Sequence, residues 1–143
     1  MRPFLLRSLS LALALTLACG TATAASKKPS TKLLTSTLFA YSGAIRWGDF
    51  DRAFGYVDPA VRAEHPLSDI DRARYKQIEV THYEVTAETI TDGADDREIA
   101  ISFVNRNTQA ERSLSYHELW RWDAPAKHWW LTSGLPDITA SDD

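Results

Sequence analysis

Residues 76–106, KQIEVTHYEVTAETITDGADDREIAISFVNR, decide the fold. Their apolar residues recur at every second position, the period of a half-buried strand. Ile78 and Val80 share one parity, and Tyr83, Val85 and Ala87 share the other. That change predicts a bulge near Thr81-His82 inside one long strand over 76–91. Asp92-Gly93 is a hairpin turn signal. Beyond it, Ile99, Ile101 and Phe103 alternate through a second strand over 97–106.

Working toward the C-terminus, residues 105–109 make the next turn. A third strand follows over 111–122, with Leu114, Tyr116, Trp120 and Trp122 on one parity. A proline-containing loop over 123–127 leads to a fourth strand over 128–133. Residues 136–143 read as an acidic, fraying tail.

Working toward the N-terminus, the period changes to that of a helix. Over residues 32–47, Leu34, Leu38, Tyr41 and Ile45 form one stripe. Leu33, Thr37, Ala40, Ala44 and Trp47 form a second, adjoining one. Gly48 suits the position just past a helix end, and Asp49 suits the N-cap of a short helix over 49–56. Asp58-Pro59 starts another short helix, which His65-Pro66 ends. Ser68, with Asp71 three residues on, predicts a capping box for a further turn or two. Segregated helices followed by strands joined through short turns imply an α+β fold. The N-terminal helices would pack on a curved, four-stranded antiparallel sheet.

The run Trp47-Gly48-Asp49-Phe50-Asp51-Arg52-Ala53-Phe54, then Val57-Asp58-Pro59-Ala60-Val61, resembles the opening of the nuclear transport factor 2-like superfamily. That superfamily holds ketosteroid isomerases, polyketide cyclases and binding-only members. The resemblance covers residues 32–135. It implies a cone-shaped cavity between sheet and helices, and a sheet face that often makes homodimers. It implies no residue-by-residue catalytic role here.

The first residues address the chain. Arg2 and Arg7 form a basic region, and 9–18 an apolar one too short to span a membrane. Two processing readings compete. Leu15-Thr16-Leu17-Ala18-Cys19 resembles a bacterial lipobox, so cleavage after residue 18 would leave Cys19 to be acylated. Ala22-Thr23-Ala24 fits ordinary cleavage after residue 24, which discards Cys19. The first gives a signal peptide 1–18, a flexible tether 19–31, one domain over 32–135 and the tail. Its product is a periplasm-facing lipoprotein, placed by Gly20 in the outer membrane. The second gives a soluble periplasmic or secreted protein.

Composition narrows the partners. The net charge is −3, and losing Arg2 and Arg7 with the leader makes it two units more negative. No basic stripe is visible, so nucleic acid is not expected. Cys19 is the only cysteine, so the domain relies on its core, with no disulfide or thiolate metal site. Five Trp, five Tyr and five Phe supply that core. The four His have no metal-ligand spacing, no phosphate loop or G-x-S-x-G elbow occurs, and neither cofactor nor metal is expected.

Chemistry concentrates in the last hairpin. Setting Trp122 opposite His128 pairs Trp120 with Trp130 and Glu118 with Thr132. Glu118 among tryptophans would have a raised pKa, as a general acid or base needs. The plainer reading puts it at the rim, paired with Arg112 or Lys127. Cavity candidates are Trp47, Phe54, Tyr116, Glu118, Trp120 and Trp130. The same register puts Leu119, Trp129 and Leu131 on the outer face, as candidates for a homodimer or an envelope partner. The functional expectation is a tethered, non-catalytic binding or assembly domain of the cell envelope. Its alternative is a small-molecule binder or isomerase-like enzyme working in the cavity.

Overall fold

The hairpin signals are realised in the computed structural model of the chain, which describes residues 28–139. The leader, Cys19 and residues 140–143 lie outside the described residues. Four helices precede four strands: α1 (Thr31–Arg46), α2 (Phe50–Phe54), α3 (Pro59–Glu64), α4 (Asp69–Lys76), β1 (Ile78–Thr91), β2 (Ala94–Asn105), β3 (Glu111–Asp123) and β4 (His128–Leu131). The strands form one antiparallel sheet in the order β1-β2-β3-β4. No described helix is long and apolar enough to cross a membrane.

The caps predicted at Asp49, Asp58 and Ser68 are made, and α1 has one at Ser30, inside the expected tether. Ser30 accepts from Leu33 N–H, Asp49 from Arg52 N–H and Asp58 from Ala60 N–H. At α4 both halves of the capping box are made by Ser68 and Asp71. Gly48 takes a φ of +72°, which most side chains avoid. It lets Asp49 N–H reach back to Ala44 C=O at 2.8 Å and turns the chain into α2.

The bulge also forms where the parity changes. Val80 faces Phe103 and His82 faces Ser102, so Thr81 is the extra residue. A second irregularity leaves Thr86 extra between Val85 and Ala87. The first bulge turns Tyr83 inward and leaves His82 exposed on the outer face, 3.2 Å from Glu84.

Helix α1 lies against the inner face. Leu34, Tyr41, Ala44 and Ile45 are buried with Phe50, Ala53 and Val57 from the following segments. From the sheet come Ile99, Ile101, Phe103, Leu114, Trp120, Trp129 and Leu131. The second stripe of α1 is only partly used. Ala44 is buried, Thr37 and Ala40 are half-buried, and Leu33 and Trp47 are exposed.

The far edge of β4 is covered by the chain between α2 and α3. Val57 makes a parallel bridge to Leu131, with Asp58 N–H on Leu131 C=O at 2.8 Å and Leu131 N–H on Tyr56 C=O at 2.9 Å. Asp58 then serves twice, capping α3 and accepting from Arg121 Nη2 at 2.6 Å. The Arg121 hydrogen bond holds its carboxyl below the usual carboxylate range. Asp58→Ala should cost about 1–2 kcal/mol in urea unfolding, the worth of a lost N-cap. A depressed folded pKa stabilises above the unfolded value and is lost as the pH falls through it. The variant should therefore lose less stability than the wild type on acidification below the ordinary carboxylate range.

The C-terminal segment differs from the expected fraying tail. Pro136 and Ile138 are buried. Tyr75 Oη donates to Pro136 C=O at 3.0 Å, and Arg112 Nη1 to Ile138 C=O at 3.2 Å. These apolar residues find the surface that α4 and the lower ends of β2 and β3 leave uncovered.

Candidate functional site

Alternation along three strands gathers a polar cluster inside the sheet. Tyr116, Glu118 and Trp120 share the inward parity of β3. Asp95 and Arg97 share that of β2 with Ile99, Ile101 and Phe103. Arg97 and Glu118 are direct cross-strand partners. Tyr83 joins them from β1 because of the bulge.

Glu118 is the centre, and its side chain is 0% exposed. Its Oε1 accepts from Tyr83 Oη at 2.6 Å and Tyr116 Oη at 3.0 Å, and its Oε2 accepts from Arg97 Nη1 at 3.1 Å. Arg97 Nε lies 3.3 Å from Glu88, within ion-pair distance. The Tyr41 hydroxyl and Trp120 indole nitrogen are buried without a well-aligned partner, while the Tyr41 ring meets Trp120 edge-on at 5.1 Å. Burial pushes the Glu118 carboxyl up, against the downward pull of the tyrosine hydroxyls and Arg97. Burial likewise raises Tyr83 and Tyr116, each above its ordinary value.

A tyrosine hydroxyl and a carboxyl group at these distances could pass a proton between them, beside the fixed charge of Arg97. A substrate has no route to them, because aromatic rings and α1 cover the carboxylate. Glu118 is therefore neither at a rim nor paired with Arg112 or Lys127. The cavity expected around it is filled by Tyr41, Tyr83, Tyr116 and Trp120.

The last hairpin is shifted by one residue from the expected register. Asp123 faces His128, Trp122 faces Trp129, Arg121 faces Trp130 and Trp120 faces Leu131. The loop is one residue shorter than expected because Asp123 accepts from Ala126 N–H and Lys127 takes a φ of +51°. A one-residue slip exchanges the faces of β4. Trp129 and Leu131 are thereby core residues, buried at 1% and 0% exposure, and are not an outer interface. Trp130 leaves the cavity set for the outer side, where it is half-buried and its Nε1 donates to Asp123. Leu119 alone of the three interface candidates is exposed. Trp47, expected in the cavity, is 90% exposed, because α1 ends before it can turn back to the sheet. Phe54 is half-buried and Trp120 is in the core.

Phe54 contributes elsewhere, to an open groove of about 490 Å³. Phe54, Val57, Val61, Tyr75, Leu135 and Ile138 give the groove apolar walls. Asp71, Arg74 and Asp137 add charge around them, with the His65 imidazole beside them. Tyr75 is held by stacking on Phe50, with centroids 4.1 Å apart, and by its bond to Pro136. The sequence reading missed this groove because residues 136–139, which help to close it, read as a tail. It also missed Asp95 and Arg97, although the two-residue period of Ile99, Ile101 and Phe103, carried back, places both inward.

Comparison with known proteins adds one likeness of fold. No family model and no curated protein matches the chain. A solution structure of RPA3114, a SEC-C motif-containing protein from Rhodopseudomonas palustris, matches with a TM-score of 0.52 and 20% identity. The match covers 73% of this chain and 76% of that one. The expected kinship with the nuclear transport factor 2-like superfamily is overturned, since the fold matched is a different one and no family model supports it. The Gly-Asp-Phe and Asp-Pro signals that suggested it are local helix caps, which any α+β chain can use.

Proposed function

We propose that the protein is an exported, non-catalytic binding or assembly domain, tethered to the cell envelope through a lipid on Cys19. The outer membrane, facing the periplasm, is its proposed station. The observation that carries the non-catalytic part is the enclosure of Glu118. The one carboxylate with a catalytic look is walled in and matched by three donors, which is how a structural group is held. The groove supports the binding part. It is open, within the size range of ligand sites, and combines apolar walls with a charged margin. A ligand or partner group with an apolar body suits it. The leader sequence supports the address. An isomerase- or cyclase-like reading needs Glu118 open to a ligand, and its side chain is enclosed.

The test is the intact mass of the protein purified from membranes of an exporting host. The expected species begins at Cys19 and carries acyl chains, and Cys19→Ser should release the domain from the membrane fraction. A mature chain beginning at Ala25 overturns the tether and leaves a soluble domain.

A further inference from the structure

We propose that Asp95 makes the turn end of the β1–β2 hairpin a proton-dependent latch, closed while its carboxyl holds a proton and opening more often once the proton leaves. Asp95 is 1% exposed, and neither of its carboxyl oxygens has a hydrogen-bond partner. Its direct neighbours across the sheet are Ile90 on β1 and Trp120 on β3, which offer its carboxylate no donor in this structure. The charges that face it are Glu88 from β1, Arg97 from β2 and Glu118 from β3, and Asp96 adds a weaker repulsion from the outer face. Arg97 is already shared between Glu118 and Glu88. Three inward carboxylates thus surround one guanidinium, and Asp95 is the one left without a bond.

An unbonded buried carboxylate costs far more than the neutral acid in the same place. Burial first, and Glu88 next, raise the Asp95 carboxyl to about 6. The folded pKa then lies above the unfolded one. Closure is strongest below pH ~4, weakens as the pH rises toward 6, and changes no further above it. The segment that would respond is small. Trp122 N–H bonds Gly93 C=O, and the Pro29 ring packs near the Gly93 backbone.

Amide hydrogen exchange on the full chain tests the latch, with protection at residues 88–97 corrected for intrinsic rates. Between pH 5 and pH 8 that protection should fall about tenfold, the ratio that pKa values of about 6 closed and about 4 open require. Asp95→Asn mimics the neutral acid and should stay protected at both pH values. Glu88→Gln should shrink the fall. Equal protection in the wild type at the two pH values overturns the proposal, as does an unchanged fall in Asp95→Asn. The ¹³C signal of the Asp95 carboxyl gives a second reading on the unmutated protein. A midpoint near 6 is expected, and one below 4.5 overturns the latch.

Discussion

Replacing Arg97 with Met should lower the free energy of unfolding by about 3–5 kcal/mol, measured by urea titration at neutral pH. The loss arises less from a missing attraction than from what remains. Glu118 would stay at 0% exposure with two phenol donors and no cation. Glu88 would lose the same partner, but it reaches solvent and can rehydrate. Glu118→Gln placed on top of Arg97→Met should recover much of the loss. A neutral amide oxygen still accepts from Tyr83 and Tyr116 and needs no counter-charge. An additive double variant would show that the cation does not hold the carboxylate in place.

The second large effect separates two tryptophans that the sequence placed together. Trp120→Ala should cost about 3–5 kcal/mol, since it empties a site in the middle of the core. Trp120 is 2% exposed, edge-on to Tyr41 and beside the Glu118 cluster. Trp47→Ala should change stability by no more than about 0.5 kcal/mol, since its ring is 90% exposed. Equal losses from the two substitutions in the same denaturant series would contradict this assignment of faces.

What could be read from the chain was whatever is encoded locally. The caps at Ser68, Asp49 and Asp58 depend on residues within three positions of each other, and each is made as expected. The bulge at Thr81 announces itself by a change of parity in its own strand. Register is another matter. The β4 slip depends on whether the 123–127 turn is closed by Trp122 or Asp123, a choice made by one aspartate bond and one left-handed lysine. Every tryptophan in β4 then changed sides. Burial of a charge is also a non-local fact. Glu118 looked like a lone acid among aromatics, because its cation comes from β2 and one of its hydroxyl donors from β1. Their sequence separations are 21 and 35 residues. The groove depends on contacts of the same kind, with Tyr75 and Pro136 61 residues apart. The cone cavity came from a family likeness carried by caps alone, and nothing in those caps constrained the interior.

The parallel bridge at Val57–Leu131 has a consequence for how copies of this chain can join. It covers the β4 edge of the sheet with the molecule's own backbone, and Pro59 follows directly. Among the described strands that leaves β1 as the edge on which another chain could add. A sheet with two free edges can polymerise without limit, while one with a single free edge has a valence of one. Two copies joined through β1 would have used their only sticky side, so growth would stop at the pair. Glu79 and Glu84 along that edge, with no lysine or arginine between Ile78 and Thr91, set even this first addition against like charge.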